Sequence, residues 1–243
     1  MLSSINVEIL NNPYRGGVEI KSTAAVDTIS RISDIKVFRK LNETGNREII
    51  EMYTKEITTV NDLSFSLFDI TAISGKSYVY YIDILNGNTI VETQEMDPID
   101  CWFDGLFIGN FEKQYFAGTN YKVDPRRNTE VSYVTTLGSR VPYRVANANI
   151  NYSSGSATGL FLKLTDDKKM FVPDHDHSYS TEVLDFLTDG TNKVLKTGEG
   201  QAWYVSIDDG AATPFNDRYN GMNAVNFSWT EIGDIPEFGM GVD

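Results

Sequence analysis

The stretch from Tyr78 to Leu85 constrains the fold more than any other part of the chain. Tyr78, Tyr80, Ile82 and Ile84 alternate with Val79, Tyr81 and Asp83. In an extended backbone one face therefore carries four large aromatic or aliphatic side chains. The run ends at Asn86-Gly87, residues that accept the positive φ of a type I′ turn, and Thr89-Ile90-Val91 follow. A hairpin with one apolar face needs a second layer to cover it.

The preceding residues supply strands for that layer. Ile5, Val7 and Ile9 alternate with polar neighbours, Asn11-Asn12-Pro13 and Arg15-Gly16-Gly17 form a turn, and Val18 and Ile20 begin the next strand. Ile35, Val37 and Arg39 follow, then a hairpin loop over residues 41–46, then Phe65 and Leu67. Seven short strands with no long helix predict a β-sandwich over residues 1–96. Met96-Asp97-Pro98-Ile99-Asp100 reads as a linker, because proline removes a ladder donor and holds its neighbour extended.

A second domain is expected over residues 97–235, mostly antiparallel β with one short helix. Strand patterns occur at Leu106-Phe107-Ile108, Gln114-Tyr115-Phe116, Tyr121-Lys122-Val123 and residues 130–134. Further strands are read over 148–152, 159–164, 202–207 and 225–229, with a turn at Leu137-Gly138-Ser139. Ser180 is the expected helix N-cap, with Glu182 in the first turn, Val183, Leu184 and Leu187 facing inward, and Gly190 as the stop. Residues 236–243 are expected to form a tail that orders on a neighbour.

Composition narrows the functional classes. The chain has 243 residues, 41% of them hydrophobic, which is enough for one large or two ordinary cores. Its 34 acids against 21 bases give a net charge of −13, which argues against binding nucleic acid or an anionic membrane surface. No run approaches the ~18 apolar residues of a membrane span. Met1-Leu2-Ser3-Ser4 lacks the basic and apolar regions of a secretion leader, so synthesis and solubility in a cytoplasm are expected. The single cysteine, Cys101, excludes an internal disulfide framework and is read as a buried structural thiol. Charge is uneven: net −5 over residues 1–97, +2 over 98–165 and −10 over 166–243.

Two segments resemble known families. Ile73-Ser74-Gly75-Lys76-Ser77-Tyr78, followed by Tyr80 and Ile82, is similar to the turn and tyrosine that lead into the penultimate strand of a fibronectin type III domain. Ser74 stands where that family has proline, and Val18-Glu19-Ile20-Lys21 lacks its strand-B tryptophan. The resemblance implies a fibronectin/Ig-like sandwich in which the Tyr78 hydroxyl bonds back to the preceding turn. The stretch from Val134 to Leu164, with Thr135-Thr136-Leu137-Gly138, Pro142-Tyr143-Arg144, Asn147-Ala148-Asn149, Tyr152 and Gly159-Leu160, resembles bacteriophage tail structural proteins. Leu106-Phe107-Ile108 with Phe111-Glu112-Lys113-Gln114, then Trp203-Tyr204-Val205 and Phe227-Ser228-Trp229, extend that resemblance over about residues 101–235. Tyr143 replaces the family's phenylalanine, and Arg144 to Asn149 depart from its glycine-containing core. The resemblance implies a non-enzymatic virion subunit of a baseplate, tail tip or fibre-attachment ring. Its expected partners are copies of itself in three- or six-fold symmetry and other tail proteins.

Arg126, Arg127, Arg140 and Arg144 fall in the positive segment and, with Tyr143 and Trp102, are the interface candidates. The acidic C-terminal part of a neighbouring copy is their expected counterpart in a head-to-tail contact. No G-x-x-x-x-G-K, G-x-S-x-G or H-E-x-x-H pattern occurs, so no catalytic residue is nominated and no cofactor is expected. Asp174-His175-Asp176-His177 is the one metal-like cluster. In an extended segment one ion would reach only His175 and His177, or only Asp174 and Asp176, so a solvated loop is expected and no metal. The alternative function is a carbohydrate-binding module for a host surface polysaccharide, stacking sugars on Trp102, Trp203 and Trp229. Trp203 and Trp229 lie on strand patterns and are read as core, and Trp102 as a plug at the domain junction.

Overall fold

A computed structural model describes residues 4–29, 31–42, 50–118, 120–138, 140–164, 171–214, 222–235 and 240–242. Most of the loop expected over residues 41–46 lies outside them, as do Ser139 of the expected turn and residues 236–239 and 243 of the expected tail. The protein is mostly β, with one short helix, and forms two compact units. The first comprises residues 1–116, 194–203 and 235–243, and the second residues 117–193 and 204–234.

The first unit opens with β1 (Ile5–Asn12), β2 (Gly17–Ala24), β3 (Asp34–Leu41) and β4 (Ile50–Glu56). After a 3₁₀ turn (Val60–Leu63) come β5 (Phe65–Asp69), β6 (Lys76–Asn86), β7 (Thr89–Glu95), β8 (Ile99–Cys101), β9 (Leu106–Gly109) and β10 (Gln114–Ala117). One sheet has the order β1-β2-β5 and a second β4-β3-β6-β7, with β8 pairing β6. Ile5, Val18, Ile20 and Leu67 from the first bury one core with Ile35, Val37, Tyr80, Ile82 and Ile84 from the second. The alternation of β6 decides the layering: Tyr78, Tyr80, Ile82 and Ile84 are buried, while Tyr81 and Asp83 are half-exposed. The Ile73 amide donates to the Tyr78 hydroxyl at 2.9 Å, the contact expected of that tyrosine. Burial pushes the Tyr78 phenol up to about 12.

The segment read as a linker is part of this unit. Pro98 precedes β8, whose Cys101 lies opposite Lys76, and Cys101, Phe103 and Phe107 complete the sandwich core. The Phe107 ring stacks on Phe116 at 4.5 Å and meets Phe103 edge-on at 5.1 Å. A Cβ at Gly16, at φ +66°, would lie 2.7 Å from the Phe107 ring, so the β1–β2 turn closes only over a glycine. Ser74 fixes this segment. Its hydroxyl donates to the Phe103 carbonyl and accepts from the Phe103 amide, each at 3.1 Å. The first compact unit therefore runs to residue 116, past the expected boundary at 96, because residues 99–107 fill its core.

A distant strand, β15 (Lys193–Thr197), adds its last four residues to this unit and pairs β9. Lys196 is fully buried. Its ammonium donates to the carbonyls of Ile70 (2.5 Å) and Ala72 (3.2 Å) and lies 5.1 Å from the Phe103 ring centre. Burial pulls its pKa down to about 8. Below pH 8 the folded and unfolded chains both hold this proton. Between 8 and the ordinary 10.5 only the unfolded chain does, so stability rises with pH across that window. Burial pushes the Cys101 thiol up to about 12 from its ordinary 9, and that contribution falls above pH 9. The protein should therefore gain about 1 kcal/mol of unfolding free energy between pH 8 and 9. Denaturant melts should show this gain, and Lys196→Met should abolish it; a flat or falling wild-type trend would contradict it. A short C-terminal strand, β18 (Met240–Val242), pairs β5 within the same unit, so these three residues order on their own chain.

The second unit holds β11 (Lys122–Val134), β12 (Tyr143–Leu160), the short pair β13 (Lys163–Leu164) and β14 (Phe171–Val172), and α1 (Ser178–Leu187). It also holds most of β16 (Ala202–Pro214) and all of β17 (Asn223–Gly233). Its sheet has the order β16-β17-β12-β11. Val225, Phe227 and Trp229 of β17 are buried while Asn226, Ser228 and Thr230 face outward. Val183, Phe186 and Leu187 are the buried apolar residues of α1. Leu184, expected on that face, is half-exposed. The helix begins two residues before Ser180, because Asp174 and Asp176 supply the capping carboxylates ahead of it.

Candidate functional site

The most exposed apolar surface of the second unit lies on the β11–β12 hairpin. β11 pairs β12 along its full length, but β17 pairs β12 only from Ser154 to Leu160. From Ser153 back to Tyr143, β12 has β11 as its only ladder partner among the described residues. Eight residues of β11, Arg127 to Val134, pair this part of β12, with a register shift between Thr129 and Glu130; at ~3.3 Å per residue the ribbon runs roughly 25 Å beyond the sheet. Glu231 marks the branch point: its carboxylate accepts the Ser153 amide at 2.5 Å, where β17 stops supplying a partner. Gly155 permits the close root of the ribbon, since a Cβ there would lie 2.3 Å from the Asp124 carbonyl. Pro125, opposite Gly155, is tolerated because β11 is the edge strand.

The ribbon carries apolar side chains on both faces. Val134 lies opposite Tyr143 and Ser132 opposite Val145, while Tyr133 lies opposite Arg144 on the other face. Tyr133 is 67% exposed, Tyr143 63% and Leu137, in the turn, fully exposed. Val134, Val141 and Val145 are also exposed. The turn passes through Gly138 at φ +96°. A free two-stranded ribbon is marginally stable in water. An exposed apolar pattern on both of its faces is the mark of an element that a partner covers.

The four arginines do not form one cluster. Arg126 and Arg127 sit at the ribbon root on opposite faces, and Arg127 donates to Asn151 at 2.5 Å. Arg144 lies on the ribbon and Arg140 beyond the paired strands, and no described carboxylate pairs with either. Arg126 lines an open groove of about 790 Å³ on the outward sheet face, with Lys122, Asp124, Asp208 and Thr230. Thr230 donates to Asp208 at 3.0 Å, and Ser228 donates to Asp209 through its amide and hydroxyl. No model of a protein family matches the sequence, and no curated protein does. The site therefore rests on its own geometry. Val134, Leu137, Val141 and Val145 have no chemical signature in the sequence. The available signal was apolar residues on both faces of a strand with no helix to cover it.

The Asp-His-Asp-His segment is a helix cap. Asp174 accepts from the amides of Tyr179 and Ser180 and from the Ser180 hydroxyl, each at 2.9 Å. Burial would raise the Asp174 pKa, but these hydrogen bonds hold the carboxyl below its ordinary range. Asp176 accepts from Ser178, and His177, at φ 58°, meets Asn223 through Nδ1 at 2.9 Å. No group of three or more His, Cys, Asp or Glu gathers as a metal site among the described residues. Asp174→Ala should lower stability by about 1–2 kcal/mol, read from thermal melts, by orphaning two helix amides. A loss under 0.3 kcal/mol would contradict the capping role.

The tryptophans separate. Trp229 is fully buried, Trp203 is half-buried, and Trp102, read as a plug, is 58% exposed. The Trp102 backbone is held by Asn11, whose side chain donates to the Trp102 carbonyl at 2.8 Å and accepts its amide at 3.2 Å. No described helix is long and apolar enough to cross a membrane.

Proposed function

We propose that the chain is a structural, non-enzymatic subunit of a phage tail-end assembly. It contacts copies of itself and neighbouring tail proteins through the β11–β12 ribbon. The observation that carries this reading is the ribbon itself: ladder-paired on one side only, apolar on both faces, and bearing Arg140 and Arg144 at its outer end. The resemblance of residues 134–164 to tail structural proteins falls on the same hairpin. The β1-β2-β5 and β4-β3-β6-β7 sheets, with the Tyr78 contact, support a fibronectin type III-like module in the first unit. A symmetric ring of three or six copies on the virion tail suits this role. Sedimentation velocity over a concentration series tests self-contact. A defined oligomer is expected, and a monomer at every concentration would overturn it.

The exposed Trp102 ring favours a second reading, a carbohydrate-binding module for a host surface polysaccharide. Glycan-array binding by the monomer that Trp102→Ala abolishes would support it. An array without signal would end it.

A further inference from the structure

The tip of the β6–β7 hairpin sets an unheld carboxamide beside an unshielded main-chain nitrogen. Asn86 ends β6 opposite Thr89, and both residues are exposed, as are Gly87 and Asn88 between them. The Asn86 carboxamide has no hydrogen-bond partner among the described residues. Gly87, at φ +61°, brings no side chain, and the space a Cβ would take is open to 4 Å. The β6–β7 register shifts between Ile84 and Leu85, so only the pairs Leu85–Ile90 and Asn86–Thr89 lie beyond the irregularity. Two pairs at an exposed tip open at low cost. One residue from outside the hairpin holds the tip shut. Ser33, just before β3, donates its amide to the Leu85 carbonyl at 2.7 Å, and its hydroxyl accepts the Gly87 amide at 2.8 Å. The proton of that hydroxyl is within reach of the Asp34 carboxylate, at 2.6 Å, and the Leu85 carbonyl, at 3.2 Å.

We propose that Asn86 is a site of spontaneous deamidation in the folded protein and that Ser33 sets its rate. While the tip is closed, the Gly87 N–H is committed to Ser33, and the extended backbone of Asn86 is not the one that closes a ring. When the tip opens, the Gly87 nitrogen gives its proton to a solvent base and bonds to the Asn86 side-chain carbonyl carbon. The bond from that carbon to the side-chain nitrogen breaks, and this nitrogen leaves as ammonia after taking up one proton. Water then opens the five-membered imide at either carbonyl, giving aspartate or isoaspartate at residue 86. Water is the only co-reactant, and nothing is oxidised or reduced. Both products add a carboxylate to the tip. Isoaspartate also lengthens the main chain by one methylene, so Thr89 no longer meets residue 86 in register. The loss of ammonia to bulk water is irreversible, so the change records the age of each copy.

Peptide mapping by mass spectrometry on the full chain tests it. Wild type, Ser33→Ala and Ser33→Thr are held folded in mildly alkaline buffer for weeks, with melting temperatures measured. Wild type is also held in urea as the open reference. Tandem spectra place the exchange of NH2 for OH at Asn86 or Asn88, and chromatography separates isoaspartate from aspartate. Folded wild type should convert at Asn86, more slowly than in urea, with isoaspartate among the products. Ser33→Ala should convert about two- to tenfold faster, the effect of one lost hydrogen bond on the opening equilibrium. Ser33→Thr keeps the hydroxyl and should keep the wild-type rate. If folded wild type stays unconverted at Asn86 while the urea sample converts, Asn86 is not a modification site. If Ser33→Ala converts at the wild-type rate, or if Ser33→Thr is as fast as Ser33→Ala, the control by the Ser33 hydroxyl falls.

Discussion

Asp69→Ala should destabilise the first unit by about 3–5 kcal/mol, the cost of leaving a buried charge without its partner. Asp69 is fully buried, and its carboxylate accepts from Arg39 at 2.6 Å, from the Tyr80 hydroxyl at 2.8 Å, and from the amides of Thr71 and Ala72. Arg39 also donates to the Thr71 hydroxyl at 2.8 Å and lies 4.9 Å from the Tyr78 ring centre. Burial alone would push the Asp69 carboxyl up, but the Arg39 guanidinium and these hydrogen bonds outweigh it and hold the carboxyl below its ordinary range. The contribution is therefore present above the ordinary carboxylate pKa and lost as pH falls through the lower folded value. A loss of this size is a large fraction of the roughly 5–15 kcal/mol that holds a typical domain, so the variant should unfold at markedly lower denaturant concentration than the wild type. Arg39→Met with Asp69→Ala should recover part of the loss, because it removes the stranded cation. If Asp69→Ala melts within 1 kcal/mol of the wild type in denaturant, the network does not hold the sandwich.

The second large effect concerns association and leaves the fold intact. Val134→Ser/Tyr143→Ser/Val145→Ser should weaken self-association by about two to three orders of magnitude. Burying a side chain of this size contributes ~1.5–3 kcal/mol, and ordering costs offset part of the sum. All three side chains are exposed, so their replacement creates no cavity and the melting temperature should stay within about 2 °C. A variant with unchanged association would show that the ribbon is not the contact. One that melted much earlier would show that these residues serve the fold of the unit.

The parts of the fold that the sequence disclosed are those where local pattern and tertiary environment agree. β6 alternates because one face meets the core and the other water, and Asn86-Gly87 closes the hairpin with Gly87 at φ 61°. The run Ser154-Gly155-Ser156-Ala157-Thr158 has no such pattern, yet it is strand because β11 and β17 flank it. Its small side chains suit close approach between neighbouring strands, a requirement set by residues far away in the chain. β15 inverts the ordinary expectation: Lys193 and Lys196 are as buried as Val194 and Leu195, because the carbonyls of Thr191, Ile70 and Ala72 receive their ammonium groups. Pro98 was a reasonable breaker, but the chain resumes pairing one residue later in β8. For the site, the arginines and Tyr143 were legible as chemistry. The isolation of the ribbon was not, since it depends on where β17 ends.

The central claim is that this chain is built into a phage tail end, and particle labelling addresses it most directly. Virions purified from a phage whose genome carries this sequence would be incubated with gold-conjugated antibody against residues 131–145 and, separately, against the first unit, then viewed by negative stain. The account predicts label from the first-unit antibody at the tail end distal to the capsid. It also predicts weak label from the ribbon antibody, whose epitope the assembled contacts cover. Label on the capsid, or no label on any particle although the same antibody binds the free protein, would contradict it.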